Sequence, residues 1–292
     1  MSAIKTFFRK IVYFAAPPLV LLLTALLVLN FTTKKAFDGF RIAPNVTSVY
    51  SGDSHVEECI NDKLLPNSLN IAQNSECYYY TYFKVKKLLA DAHIDTLYLG
   101  FSYHSLSDYY DDFVFGEYSP IIASKYFFIL PNSEKVKFLK YNSENTSLFL
   151  RKIIERGVNR EIVGGFTNVF ANTAAIKKSM DKRIDFQFYR KGKLNSFSAF
   201  NMGWFDKIIQ LCREKNVVPV LLNTPLHPYY KSRIPAEYLQ KYDEVLRAYQ
   251  LKVVDLNGLP LDDESFIPDG DHVSERGATI VSKYLASRMA GK

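Results

Sequence analysis

The stretch "VYSGDSHVEECI", Val49–Ile60, runs from strand-like residues into a Gly-Asp-Ser-His turn and then into a helical pattern. Its β-branched and aromatic beginning predicts a strand that ends at Gly52. Ser54 then lies on a strand-to-helix turn, where two interpretations are open. It is a nucleophile displayed by the turn, or it is a helix N-cap, because Ser and Asp are good capping residues and Glu57 follows three places later.

Predicted strands and helices alternate along the chain beyond this turn. Further strands are predicted at 69–72 and 96–99, then in "VVPVLLN" and "KVVDLNG", with helical patterns between them. Such alternation is typical of parallel strands joined by right-handed crossovers. The sequence therefore predicts an α/β fold, a three-layer α/β/α sandwich with a parallel sheet of about five strands, preceded by one transmembrane helix. A stretch rich in Tyr and Phe at about 105–205, with helical patterns near 133–156 and 173–183, is interpreted as an insertion over the ends of the sheet.

The N-terminal region predicts a membrane anchor. Between Lys10 and Lys34 lie 23 residues without a charge, and about 20 apolar residues in a helix cross a hydrocarbon core of roughly 30 Å. A cleavable signal peptide is the alternative, but its apolar core is shorter and ends in a small-x-small site, which "VLNFTTKK" lacks. The interpretation divides the chain into a cytoplasmic N-terminus at 1–10, an anchor at 11–33, a linker at 34–46 and an extracytoplasmic domain at 47–292.

Charge and cysteine content exclude several classes of function. The net charge is +7, and five of these charges fall in the first 35 residues, so the remainder is near neutral. Without a basic stripe bearing interleaved aromatics, no nucleic-acid partner is predicted. Cys59, Cys77 and Cys212 lack the spacing of a zinc site, so neither a metal nor a cofactor is predicted. An oxidising compartment would permit a Cys59–Cys77 bridge, and three free buried thiols are the alternative.

Four polar clusters follow the carboxyl ends of predicted strands. They are Gly52–His55, Gln73–Ser75, Gly100–His104 and Asn223–His227. Ligands of parallel sheets bind at this edge. The sequence therefore predicts the functional site there.

The segment "PDGDHVS" before the last predicted helix supplies a possible base for Ser54. Nucleophilic serine chemistry needs a base within hydrogen-bond reach and a group that orients the base. Among five histidines, His272 stands out because Asp269 lies three residues earlier on a Pro-Asp-Gly turn that can fold it onto the imidazole. The alternative is an acidic turn in which Ser274 caps the last helix. His55 is a poorer base, because adjacent side chains on a turn rarely face each other.

"SGDSH" after the first strand and "PDGDHVSERG" before the last helix, in this order, resemble the SGNH (GDSL-like) hydrolase superfamily. The resemblance covers about 47–285. It implies Ser54 as nucleophile, His272 as general base and Asp269 as the residue that orients His272.

Two inner blocks of that superfamily are altered in this chain. The superfamily has a Gly after the second strand and Gly-x-Asn-Asp after the third, and both contribute to the oxyanion hole. Here the second strand is followed by Gln73-Asn74-Ser75 and the third by Gly100-Phe101-Ser102-Tyr103-His104. Backbone amides do not depend on residue type, and Ser102 or His104 is expected to replace the missing Asn. The oxyanion or substrate-binding candidates are Ser75, Asn74, Gly100, Ser102, His104 and Asn223.

The pattern is most similar to membrane-anchored members that assist O-acylation of bacterial cell-surface polymers, as in alginate acetylation and lipoteichoic acid D-alanylation. The resemblance implies a single-pass protein of the bacterial cytoplasmic membrane whose outer domain acts as a serine acyltransferase or esterase on acyl groups of a cell-surface glycan. A multi-span membrane acyltransferase is the implied partner. Two alternatives stay open: a catalytically inactive domain that binds glycan or scaffolds a membrane complex, and an unrelated doubly wound domain with a chance Gly-Asp-Ser.

Overall fold

The structure, a computed structural model, describes residues 2–38, 42–141, 143–156, 163–168 and 175–290. Its strands within these ranges are β1 (Ser48–Ser51), β2 (Ser68–Asn70), β3 (Thr96–Gly100), β4 (Tyr189–Arg190), β5 (Lys193–Leu194), β6 (Val218–Asn223) and β7 (Lys252–Asp255). Its α-helices are α1 (Ser2–Asp38), α2 (Ser54–Cys59), α3 (Tyr78–Asp91), α4 (Ser119–Tyr126), α5 (Asn132–Tyr141), α6 (Thr146–Arg156), α7 (Lys177–Phe188), α8 (Ala199–Glu214), α9 (Pro228–Ser232), α10 (Ala236–Tyr249) and α11 (Glu275–Ala290).

Five of the strands form one parallel sheet in the order β2-β1-β3-β6-β7, while β4 and β5 form a small hairpin. The chain leaves β1 toward β2 and then returns to the other side of β1 to form β3. This reversal places the topological switch point between the carboxyl ends of β1 and β3, where ligands bind in open parallel sheets. Ser51 pairs with Leu99 at this point, so the Gly-Asp-Ser-His turn begins directly above it.

Side chains that alternate along the strands face two different helical layers. Leu221 of β6 packs in a cluster with residues of α3, α8 and α10, whereas the next residue, Leu222, packs with residues of α2 and α11. Successive residues of a strand point to opposite faces of the sheet. The sheet is therefore buried between two helical layers, and the predicted three-layer α/β/α fold is confirmed.

The aromatic-rich insertion builds its own packed cluster. Most of the tyrosine and phenylalanine side chains of this cluster are buried, among them Tyr109, Tyr110, Phe113, Tyr126, Phe138 and Phe149. The helical patterns predicted near 133–156 and 173–183 correspond to α5, α6 and α7, and residues 142, 157–162 and 169–174 lie outside the described ranges. These buried rings serve packing.

Helix α1 contains an apolar segment, Ala3–Val28, that is long and apolar enough to cross a membrane. The linker expected at 34–46 stays a prediction, and α1 continues into its first residues as far as Asp38. The residues "TTKKAFD" contain neither Gly nor Pro, and Lys and Ala favour the helix. Chain without regular structure is seen from Ile42 to the start of β1.

All three cysteines are free, buried thiols. Cys59, the last residue of α2, packs in one cluster with residues of α11, while Cys77 belongs to the aromatic cluster. Of the two possibilities left open by the sequence, the structure has the free thiols.

Candidate active site

The turn after β1 is shaped by Gly52 and capped by Asp53. A Cβ atom on Gly52 would lie 2.9 Å from Cγ2 of Val56, and its φ of +155° is one that other residues rarely adopt. The carboxylate of Asp53 accepts a hydrogen bond from the His55 amide at 3.0 Å and is the N-cap of α2. The capping interpretation of Ser54 is therefore wrong. Ser54 is the first residue of the helix, so its hydroxyl is available to another partner.

That partner is His272, which lies 218 residues away in sequence. The Oγ atom of Ser54 is 2.7 Å from Nε2 of His272, and both residues are buried. On the other side of the ring, Nδ1 of His272 lies 2.8 Å from Oδ2 of Asp269. The backbone N–H of His272 also donates to Asp269 at 3.3 Å. The structure thus brings Ser54, His272 and Asp269 together, with the imidazole between the hydroxyl and the carboxylate.

A second carboxylate, Asp271, also faces the imidazole. Its Oδ1 is 3.1 Å from Nδ1 of His272. Its Oδ2 accepts from Nε of Arg183 at 2.7 Å, Nε2 of Gln187 at 2.8 Å and Nε2 of His55 at 3.0 Å. The Asp271 side chain is fully buried. Sequence reasoning named Asp271 only as part of an acidic turn, and its position beside His272 in "DGDH" was the available signal.

His55 continues the network away from Ser54. Its Nδ1 lies 3.2 Å from Oδ1 of Asp53, and Oδ2 of Asp53 is 2.9 Å from Nε2 of His104 and also accepts from the Tyr110 hydroxyl. The ring of His55 stacks on that of His104, with centroids 4.0 Å apart. His272, Asp271, His55, Asp53 and His104 therefore alternate as one buried chain of imidazoles and carboxylates.

Neighbouring charges shift the pKa values of the two carboxyls in this buried network. Burial alone would raise the pKa of Asp53 and Asp271, but His55 and His104 beside Asp53, and Arg183 and His272 beside Asp271, hold both well below the usual range. Both carboxyls are therefore ionised at neutral pH.

The three histidines respond differently. Burial would lower the pKa of His272, but Asp271 and Asp269 raise it well above the ordinary range. Burial also opposes protonation of His55, whose pKa Asp53 nevertheless raises. Burial and the charge of His55 lower the pKa of His104 to about 4. His272 is thus a strong base, and His104 is neutral.

Among the residues that the structure describes, two groups of side chains have donor atoms within 4.8 Å of one another, as metal ligands would: Asp53, His55 and His104, and His55, Asp271 and His272. In both groups the ring nitrogens face carboxylate oxygens at hydrogen-bond distance. A metal ion would have to displace these bonds.

The loop after β2 borders the Ser54 turn. The amide of Gln73 donates to the carbonyl of Gly52 at 3.1 Å. The Asn74 amide is directed at the Glu57 carboxyl, and the Asn74 carbonyl accepts from Nζ of Lys125 at 2.9 Å. Ser75 has a φ of +62°. The Asn74 amide thus faces the Glu57 carboxyl, and the backbone amide of Ser75 is the remaining candidate in this loop for an oxyanion donor.

The candidates after β3 and β6 have buried partners of their own. The Ser102 hydroxyl donates to Asn223 at 3.0 Å, and the Asn223 amide group donates to Asp255 at 3.3 Å. The carbonyl of Gly100 accepts from the Tyr78 hydroxyl at 2.7 Å. With His104 bound to Asp53, these side chains hold the carboxyl ends of the strands together.

The inserted segment also covers the site. The amide of Gly165 donates to the carbonyl of Ala72 at 3.1 Å, and the Thr167 hydroxyl donates to Glu57 at 3.0 Å. Burial raises the pKa of Glu57 to about 7. Sequence reasoning named Glu57 only as a possible capping partner and gave no role to Arg183, Gln187 or Tyr110. These three residues come from the insertion, and no sequence motif marked them.

Comparison with known proteins adds little to this geometry. No family model and no curated protein matches the chain. A matching solved structure is that of a Streptococcus pneumonia protein proposed to be a platelet activating factor, with a TM-score of 0.41 and 14% sequence identity over 94% of this chain and 99% of that chain. A likeness this slight does not bear on activity.

Proposed function

We propose that this chain is a membrane-anchored serine esterase or O-acyltransferase that carries an acyl group, most simply acetyl, on Ser54. The observation that carries the proposal is the 2.7 Å contact between the Ser54 hydroxyl and His272 at the switch point of the sheet. A nucleophilic serine needs such a base within hydrogen-bond reach, held by a further group. Asp269 meets that last requirement through its hydrogen bond to Nδ1, and Asp271 lies 3.1 Å from the same nitrogen.

In the first step, Nε2 of His272 takes the proton of the Ser54 hydroxyl as Oγ forms a bond to the acyl carbon. The imidazolium then gives this proton to the leaving oxygen as the bond to that oxygen breaks. The two carboxylates at Nδ1 fix the ring orientation and stabilise its cationic form. Only the neutral form of His272 can accept this proton. Because the pKa of His272 is raised, the neutral form becomes populated at a higher pH than in an ordinary histidine.

The tetrahedral intermediate needs donors for its oxyanion. The Ser54 amide lies in the first turn of α2 and so has no acceptor within its own helix. We assign this amide and that of Ser75 as donors, because the Gln73 amide fixes the Ser75 loop to Gly52. Two backbone donors would serve in place of the side-chain Asn that the sequence lacks.

In the second step a hydroxyl group attacks the acyl carbon and gives its proton to His272, and the imidazolium returns this proton to Oγ of Ser54 as the bond between Oγ and the acyl carbon breaks. A sugar hydroxyl makes the reaction an acyl transfer, whereas water makes it a hydrolysis. With α1 as an uncleaved anchor, the domain lies outside the bacterial cytoplasmic membrane. A cell-surface glycan is then the natural acceptor, and a multi-span membrane acyltransferase is the natural acyl donor.

The alternative is an inactive domain that binds glycan or scaffolds such a complex. The engagement of Ser102, His104 and Asn223 with buried partners favours it, because none of these side chains is left to replace the missing Asn of the oxyanion hole. Loss of one oxyanion donor typically lowers the rate by about 10²–10³-fold.

The experiment is labelling of the purified full chain with a fluorophosphonate. We expect wild-type protein to be labelled, Ser54→Ala to be unlabelled, and His272→Gln to be labelled at least about a thousandfold more slowly. Ser232→Ala is the control, because its hydroxyl bonds an exposed backbone carbonyl of α9 and its loss should leave labelling unchanged. Labelling that persists in Ser54→Ala would disprove the assignment of Ser54 as the nucleophile. Absence of labelling in the wild-type protein would support the inactive, scaffolding alternative.

A further inference from the structure

Helix α1 is attached to the insertion near its carboxyl end. Leu26 packs against the aromatic cluster, and the Asn30 side chain accepts a hydrogen bond from Nζ of Lys135 at 3.3 Å. Leu22, Leu26 and Asn30 are less exposed than most of their neighbours and recur every four residues, which places them on one face of the helix. This face of α1 therefore contacts the part of the domain that contains α4, α5 and α6.

The position of Leu26 along α1 fixes the depth of this contact. Leu26 precedes Lys34, the first charge after the apolar run, by eight residues, which is about 12 Å at the rise of a helix. If α1 crosses the membrane, Leu26 lies within the apolar part of the bilayer and its contacts lie near the boundary with the headgroups. Amphipathic helices that lie on membranes are buried to a depth of about 5–10 Å in this region.

Helices α5 and α6 have the surface that such a position requires. Val136 of α5 is 67% exposed and Leu139 is 39% exposed, and Leu148 of α6 is 38% exposed, while Phe138 and Phe149 turn inward. Residues 132–156 contain six basic and three acidic residues. Exposed Lys140 and Arg151 lie beside the exposed apolar residues.

We propose that α5 and α6 form an interfacial face that lies on the lipid surface beside α1. Val136, Leu139 and Leu148 would insert among the headgroups, and the nearby cations would bind anionic phospholipids. The proposal rests on the anchor interpretation of α1 given above and is independent of the chemistry of Ser54. The occupant we assign is lipid because the face is continuous with a helix suited to a bilayer and carries the charge that attracts anionic headgroups.

One helix connects the interfacial face to the site. The adjacent helix α4 packs against α6 and against the aromatic cluster, and its last residues reach the site. Lys125 donates to the carbonyl of Asn74, and the Tyr126 hydroxyl donates to Glu76 at 2.7 Å. The Ser75 loop is thus connected to the interfacial face by one short helix, which suits a substrate or acyl donor held in the membrane.

The experiment measures lipid contact in the full chain, reconstituted in vesicles of zwitterionic and anionic phospholipids. Single cysteines at Val136, Leu139 and Leu148 receive an environment-sensitive fluorophore, and doxyl-labelled lipids act as quenchers. The three native thiols are buried and unreactive in the folded state. Ile280 on α11 is the matched control because it is also exposed and apolar, and Leu21 of α1 reports on the anchor.

We expect quenching at Val136, Leu139 and Leu148 to exceed that at Ile280 at least twofold, and to decrease when Lys140 and Arg151 are replaced by Gln. If Leu21 is quenched but the positions on α5 and α6 are quenched no more than Ile280, the interfacial face is wrong and the anchor stands. Absence of quenching at Leu21 would overturn the anchor, and the face with it. Each labelled variant must retain the melting temperature of the wild type, so that unfolded protein is not scored as contact.

Discussion

The imidazole rings of His55 and His272 are stacked, with centroids 4.5 Å apart and ring planes inclined by 19°. His55 lies between the carboxylates of Asp53 and Asp271, and its pKa is raised. Asp53 raises the pKa of His55 against the effect of burial, so the two carboxylates favour its cationic form. A positive charge on this ring, stacked against the proposed general base, opposes protonation of that base.

The first prediction concerns the pH dependence of activity. His55→Gln removes a cation that opposes protonation of His272 and leaves Asp271 less neutralised, so both effects raise the pKa of His272. We expect the rising limb of the pH profile of kcat/KM, or of fluorophosphonate labelling, to move up by about one pH unit. His93→Gln is the control, because His93 is almost fully exposed and its loss should leave the limb in place. A purely structural role for His55 would lower activity equally at every pH, which would contradict the prediction.

The second prediction separates the two carboxylates at Nδ1 of His272. Asp269 is partly exposed, so Asp269→Asn should reduce activity about tenfold or more with a small loss of stability. Asp271 neutralises Arg183 and His55 inside the protein. Asp271→Asn leaves Arg183 without this counter-ion and His55 with Asp53 alone, and it should cost about 3–5 kcal/mol of unfolding free energy. Urea unfolding and labelling rates measure the two quantities on the same samples.

Acid titration tests independently whether Asp271 is ionised in the folded protein. The pKa of Asp271 is depressed in the folded state, so its contribution to stability is complete above an unfolded pKa of about 3.9 and is lost as the pH falls through the folded value. In Asp271→Asn this decrease below about pH 4 should be weaker than in the wild type. Equal pH dependence in the two proteins would contradict the ionised state of Asp271.

The sheet, the turn after β1 and the three residues at the carboxyl edge of the sheet could be predicted from the sequence, and the reason is physical. Strand composition and alternation are local signals, and parallel topology then brings Ser54 and the loop of Asp269 and His272 to one edge. The network behind them was not predictable, because Arg183 and Gln187 of α7 reach Asp271 only in the folded chain, where α7 packs against α9. No local pattern encodes that packing. The contact of α1 with the insertion likewise joins residues that are far apart in the sequence, so it was not predictable either.

The third prediction tests the packing that positions the nucleophile. A Cβ atom on Gly100 would lie 2.6 Å from Cγ2 of Val56 in α2. Gly100→Ala should therefore push α2, and Ser54 with it, away from His272. We expect a loss of about 1–3 kcal/mol of stability and at least about a tenfold loss of labelling rate.

A double-mutant cycle checks the cause of that loss. Val56→Ala removes the methyl group that the new Cβ would meet, so Gly100→Ala should have little further effect in a Val56→Ala background. Additive losses from the two substitutions would show that Gly100 is required for another reason.

The fourth prediction concerns a buried ion pair beneath the Ser75 loop. Glu76 and Lys84 are paired with no exposed side-chain surface, and Lys84 also donates to the carbonyl of Ile71. Thr81 and Tyr126 donate to the same carboxyl group. Burial outweighs the attraction between the two charges, since the pKa of Glu76 is raised and that of Lys84 is lowered. The pair therefore fixes the loop at a high cost in desolvation.

Lys84→Met alone leaves the carboxyl of Glu76 buried without its counter-ion and should cost about 3–5 kcal/mol of unfolding free energy. Glu76→Gln combined with Lys84→Met removes both charges and keeps one of the two oxygens that accept from Thr81 and Tyr126, so the double variant should recover much of that stability. Its labelling rate should nevertheless stay below that of the wild type, because the Ile71 carbonyl loses its donor and the Ser75 amide is less well held. Urea unfolding and fluorophosphonate labelling measure the two effects. If the double variant is as unstable as Lys84→Met, the loss comes from the packing of the lysine stem rather than from an uncompensated charge.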